Sequence, residues 1–167
     1  MRARVLPVLL ATVTFLPGAQ SALSEPLAQS PVAQSHSPEE LLLGTWVLDV
    51  AVSKYLPGPP PRAEVRTYTR QPDGIKGIVK RTYADGHVDT IEYMANTDRE
   101  YMVTGTPEYD AVKLRQIDPF RSEAVLTHGG TAFGVATRVI ARDDKSMTIT
   151  FRRPDADVMN VAVYRKQ

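Results

Sequence analysis

The stretch Ser146-Met147-Thr148-Ile149-Thr150-Phe151-Arg152 alternates polar and apolar side chains without a break. Successive side chains of an extended chain point to opposite faces, so Met147, Ile149 and Phe151 share one face while Thr148, Thr150 and Arg152 share the other. One face of this strand belongs to a core. Working outward, the chain from residue 45 onward consists of short runs rich in Val, Ile, Thr and Tyr, with no sustained helical period. Strands are expected over about residues 45–53, 63–71, 75–84, 88–95, 100–104, 111–117, 122–127, 132–141, 146–152 and 158–165. The breaks between them carry residues that turn a chain, among them Pro72-Asp73-Gly74, Asp85-Gly86, Asn96-Thr97-Asp98, Asp118-Pro119, Gly129-Gly130 and Asp143-Asp144.

About ten short antiparallel strands joined by tight hairpins suit an up-and-down meander, and closing a meander into a barrel removes its exposed edges. A sandwich needs longer crossovers, for which only the loop Leu56-Pro57-Gly58-Pro59-Pro60-Pro61 is a candidate. The expected fold is therefore all-β: an antiparallel up-and-down β-barrel of eight to ten strands. A short helix should precede it. Ser37 is a good N-cap, Pro38 fits the first helical position, and Glu40 falls where a capping box closes.

The N-terminus has a different character. Basic Arg2 and Arg4, an apolar run from Val5 to Leu16, then Pro17-Gly18 and the small-residue tripeptide Ala19-Gln20-Ser21 follow the order of a secretory signal. The apolar run is about a dozen residues, short of the roughly 20 that cross a bilayer. The expected organisation is a signal peptide over residues 1–21, a flexible linker rich in Ser, Pro, Ala and Gln over 22–36, and the barrel domain over 37–167. On that reading the mature protein is secreted or periplasmic, monomeric, and without a stable membrane anchor. The sequence has no cysteine, so disulfides, thiolate metal sites and a lipidated cysteine are all excluded. Its formal charge is +1, or −1 once Arg2 and Arg4 are removed, which gives no electrostatic case for nucleic acid as a partner.

Gly44-Thr45-Trp46 on the first strand after a short helix, together with Val163-Tyr164-Arg165-Lys166 on the last, resembles the calycin pattern of lipocalins and fatty-acid-binding proteins. Ser53-Lys54-Tyr55, Pro57-Gly58-Pro59, Val103-Thr104-Gly105, Leu114-Arg115, Ile117-Asp118 and Asn160-Val161-Ala162-Val163-Tyr164 are similar, more specifically, to a family of small exported bacterial lipocalin-like proteins of unassigned activity. The resemblance covers about residues 41–167. It implies structural roles for Gly44 and Trp46, with Trp46 plugging the closed end of the barrel and a cation of the last strand lying over it: Arg165, with Lys166 the next choice. Fatty-acid-binding proteins carry an Arg two residues before the last-strand Tyr, whereas this chain has Ala162. The resemblance therefore implies a preference for neutral or weakly polar apolar ligands over free fatty acids.

Residues for chemistry are sparse. His36, His87 and His128 lie on three separate segments and form no metal-binding spacing. His128-Gly129-Gly130 resembles the oxyanion loop of esterases, but no G-x-S-x-G elbow accompanies it. Asp143-Asp144 and Asp155-Ala156-Asp157 offer too few regularly spaced oxygens for calcium. No cofactor is implied, and an enzyme is not expected. More informative are the Tyr and Arg residues on strands. Arg66 and Tyr68 alternate on one face with Arg70, and Tyr83, Ile91, Tyr93, Tyr101, Arg115, Arg138 and Tyr164 lie on other strands. Pointing inward, these side chains would line a ligand cavity. Period two says which residues share a face, not which face is inside, so an outer polar face fits equally. Two uses of the fold follow: a non-catalytic binding module for a small, largely apolar molecule, or a structural or protein-interaction module whose barrel is filled by side chains. A lumen of a few hundred Å³ would separate them.

Overall fold

A computed structural model of the chain describes residues 37–153 and 157–167. The expected signal peptide and linker lie outside the described residues. Helix α1 (Pro38–Leu42) is capped as its sequence dictates: Glu40 N–H donates to Ser37 Oγ at 3.2 Å and Ser37 N–H donates to Glu40 Oε2 at 2.8 Å. The strands are β1 (Gly44–Leu48), β2 (Lys54–Leu56), β3 (Ala63–Gln71), β4 (Gly74–Thr82), β5 (Val88–Met94), β6 (Glu100–Thr104), β7 (Ala111–Asp118), β8 (Arg121–His128), β9 (Thr131–Ile140), β10 (Ser146–Arg153) and β11 (Val158–Lys166). From β3 to β11 each strand pairs antiparallel with the next, and β1 pairs with both β3 and β11. Ten strands thus close into a barrel, because Trp46 stands opposite Arg66 on one side and Lys166 on the other.

The first expected strand is interrupted. β1 ends at Leu48 and β2 resumes at Lys54, both along β11, so the two are parts of one strand with a turn between them. Ser53 stitches the break, donating its hydroxyl to Asp49 O at 2.7 Å while accepting Val163 N–H at 3.0 Å. The ladder group of Val163 left unpaired by the turn is satisfied in this way, as a part-buried backbone donor must be.

The barrel has a closed end and an open one. At the closed end Leu41 and Leu42 of α1 lie against Trp46, Tyr68, Ile75, Met147 and Tyr164. Trp46 is fully buried, and its indole N–H donates to Leu42 O at 2.9 Å, fastening the helix across the floor. Gly44 supplies the bend from helix to strand with φ of +112°, a region that favours glycine, and a Cβ there would meet Lys166 Cε at 3.3 Å. A second apolar cluster, including Val79, Ile91, Val103, Val112, Leu114 and Leu126, lines one wall.

The cation over Trp46 is Lys166, not Arg165. Lys166 Nζ lies 5.0 Å from the indole ring and bonds Asp144 Oδ2 at 2.6 Å and Leu41 O at 3.3 Å. Arg165 faces outward and pairs with Asp49 at 3.3 Å. The reason is strand parity: Ala162 and Tyr164 point into the barrel, and Lys166 continues their face whereas Arg165 does not.

Candidate functional site

Above the floor the barrel encloses a cavity of about 640 Å³ that opens between the proline loop and the turns at Ala84-Asp85 and Tyr109. Its two sides differ. Val103, Val112, Leu114, Leu126, Phe133 and Phe151 make an apolar wall on β6 to β10, and Arg66, Tyr68, Arg81, Tyr93 and Tyr164 make a polar one on β3, β4, β5 and β11. Phe133 reaches the lumen although it is out of phase with Ala136 and Arg138. Leu126 pairs with Gly134 and Thr127 with Ala132, so Phe133 is the extra residue of a β-bulge. Gly134 beside it leaves room for Phe151, whose ring atom Cε2 would stand 2.6 Å from any Cβ there.

The polar wall is organised by Glu64, whose carboxylate lies fully buried behind the cavity surface. Oε1 accepts from Arg66 Nε at 2.7 Å and from the Tyr164 hydroxyl at 2.6 Å, and Oε2 accepts from Arg81 Nε at 2.6 Å. Burial alone would raise the Glu64 carboxyl. The guanidiniums of Arg66 and Arg81 and the bond from Tyr164 outweigh it and hold the group at about 2, against an ordinary 4.5. Burial likewise pushes the Tyr164 phenol well up. Glu64 fixes both arginines with their side chains along the lumen.

Deeper, Tyr68 and Tyr93 bring their hydroxyls within 3.1 Å of each other. Burial would raise the Tyr68 phenol, but Arg66 and Arg138 more than offset this and lower it below its usual 10. Tyr93 moves the other way, raised well above 10 by burial and by the neighbouring Tyr68. The guanidinium carbon of Arg138 stands 5.8 Å from the Tyr68 ring centre, and Arg138 Nε donates to the buried Ser122 hydroxyl at 3.0 Å. Among the described residues Arg138 has no carboxylate partner.

Of the expected cavity residues, Arg66, Tyr68, Tyr83, Tyr93, Arg138 and Tyr164 line the lumen. Two do not. Arg115 is exposed and pairs with Glu123 at 3.1 Å, because Val112 and Leu114 fix the inward face of β7 and leave Arg115 on the opposite one. Tyr101 sits at the start of β6, where its hydroxyl donates to Asp98 at 2.8 Å and accepts from Asn96 at 3.2 Å in the β5–β6 turn. Glu64, Arg81, Ser122, Phe133, Phe151 and the rim residues Tyr55 and Tyr109 were not among the expected site residues. Parity with Arg66 marks Glu64 as inward; the pairing of Ser122 with Arg138 exists only in the cross-strand register. Ala162 faces the lumen, as a last-strand position two residues before Tyr164 must. At the mouth, His87 and Asp89 form a bonded pair at 2.9 Å, and Asp89 also accepts from Tyr83 at 2.9 Å. Among the described residues no three His, Asp or Glu side chains gather as a metal site would require.

No family model matches the sequence, and no curated protein does. Among solved structures, a Schistosoma mansoni fatty acid binding protein in complex with arachidonic acid superposes with a TM-score of 0.55 at 12% identity, covering 78% of this chain and 99% of that one. The fold is that of the calycin barrels. The fluorescent protein UnaG is also similar, with a TM-score of 0.48 at 13% identity over 75% of this chain and 97% of its own. At such identities the likeness is one of fold. In this chain a closed antiparallel sheet surrounds an interior space.

Proposed function

We propose that the protein is an exported, monomeric, non-catalytic binding module for a small, largely apolar molecule bearing a polar end. The observation that carries this reading is the two-sided cavity of about 640 Å³, a volume in the range of small-molecule sites, with apolar side chains on one wall and a few convergent polar groups on the other. A barrel serving only as a scaffold has no need of that space. The lumen arginines and the phenols beside them supply orientation, and the apolar wall supplies the area that water vacates. The arachidonic acid in the similar barrel supports the same use of the fold.

The test is a titration of the purified protein with an environment-sensitive naphthylamine dye, followed by displacement with unlabelled apolar molecules. Saturable binding of one dye per chain is expected. No saturable binding of any apolar probe would overturn the reading in favour of a structural or protein-interaction module. Export is tested separately by the intact mass of the protein recovered outside the cytoplasm: cleavage near Ser21 is expected, and retention of residues 1–20 would overturn it.

A further inference from the structure

We propose that the ligand is an aromatic molecule carrying an acidic hydroxyl, a phenol or an enol of similar shape, bound as its anion with the oxygen at Arg138 and the rings against Phe133 and Phe151. The inference rests on the binding reading above and names the chemical class of the molecule.

Three features converge on it. First, Phe133 lies between Tyr109 and Phe151 with ring centres 5.9 Å from each, an aromatic row along the apolar wall, with the Arg153 guanidinium 4.5 Å from the Phe133 ring centre. Second, Arg138 is a lumen cation without a carboxylate partner among the described residues, and a partly buried cation of this kind favours an anion brought beside it. Its Nε is already engaged by Ser122, which closes the side-on fork through which guanidinium grips a carboxylate with two parallel bonds. The Nη donors are left for the anion, and Ala162 adds no second guanidinium on the last strand. Third, the protein already holds a phenol at this spot. Tyr68 packs beside Arg138 and shares a hydrogen bond with Tyr93, and the guanidiniums of Arg66 and Arg138 favour the charged form of this one phenol, although the adjoining Tyr93 hydroxyl is held neutral. A ligand phenol in the lumen joins that bonded pair as a third member, receiving a hydrogen bond from one phenol while Arg138 neutralises its charge.

The experiment compares three probes of nearly equal shape in displacement of the naphthylamine dye: 4-hydroxyazobenzene, its methyl ether, and the azobenzene bearing a carboxylate in place of the hydroxyl. The hydroxyl compound is expected to bind at least tenfold tighter than the ether near neutral pH, the effect of one charge-assisted hydrogen bond. Its bound absorption spectrum should show the phenolate form at a pH where the free dye is still protonated. Arg138→Met should abolish both the tenfold preference and the spectral change. Tyr68→Phe, which keeps the ring in the core, should weaken the preference without removing it. Equal affinity for phenol and ether would overturn the inference and leave the binding reading intact; tightest binding by the carboxylate would overturn it in favour of a carboxylate site. Failure of all three to displace the dye would overturn it as well, and failure of the dye itself to bind would remove the binding reading with it.

Discussion

Tyr164 donates its hydroxyl hydrogen to Glu64 at 2.6 Å, joining strands that lie 100 residues apart in sequence and on either side of β1. Glu64 answers to two arginines in the same place, so it is the shared partner of three lumen side chains. Removing one member of a buried, paired set leaves the others uncompensated. Glu64→Gln is expected to destabilise the protein by about 3–5 kcal/mol, measured by urea unfolding; a loss below about 1 kcal/mol would show that the arginines find water instead.

Acid should act through the same carboxylate. Its acidity in the fold, about 2 against an ordinary 4.5, means the folded state holds the ionised form more tightly than the unfolded chain does. That contribution is fully present above about pH 4.5 and is lost as pH falls toward 2. It amounts to about 3 kcal/mol at about 1.4 kcal/mol per tenfold change in acidity. Wild-type unfolding free energy should fall across this window more steeply than that of Glu64→Gln. Parallel curves would mean that other carboxylates carry the acid response.

The floor of the barrel makes a paired prediction about Trp46 and its cation. Trp46→Ala removes a fully buried aromatic and its bond to Leu42 and should cost about 3–5 kcal/mol. Lys166→Ala should cost more than Arg165→Ala, because Lys166 covers the indole and holds Asp144 while Arg165 lies on the outer surface. Arg165→Ala is expected to stay within about 0.5 kcal/mol of wild type. The reverse order in thermal or chemical unfolding would return the capping role to Arg165.

Ala162 tests what the lumen lacks. It faces the cavity beside Tyr164, so Ala162→Arg projects a guanidinium fork into the space. Affinity for a free fatty acid should then rise by about tenfold, the effect of a bidentate pair, and affinity for a neutral probe of equal length should stay level or fall. Unchanged fatty-acid binding in the variant would mean that the new side chain folds back onto Glu64.

The barrel was legible in the sequence because alternation and turn residues are local. β3 and β6 fall on residues 63–71 and 100–104 as expected, and most other strands match within two residues. The interruption at Asp49 to Ser53 was not legible, since Ser53 acts through Val163, which is distant in the chain. The site was legible in part. Alternation groups Arg66 with Tyr68 but cannot say which face is inside, and that ambiguity admitted Arg115 and Arg165. Fixing one inward residue per strand resolves both, as Leu114 does for β7 and Tyr164 does for β11. Ser122 and Arg138, and the row from Tyr109 through Phe133 to Phe151, depend on register and on a bulge, which no single strand announces.

The bond from Gln167 N–H to Thr45 O at 2.9 Å closes a circuit: the last residue of the chain is laced to the first strand, and Lys166 reaches back to Leu41. Every barrel strand has a neighbour on both sides, so the domain is a ring of hairpins in which the position of the opening is a matter of connectivity alone. A chain that joined Gln167 to Ser37 through a short linker and began instead at Gly130, where a glycine pair makes an exposed turn, would meet the same partners in the same register. The order of the strands around the lumen, rather than their order along the chain, is what the fold requires.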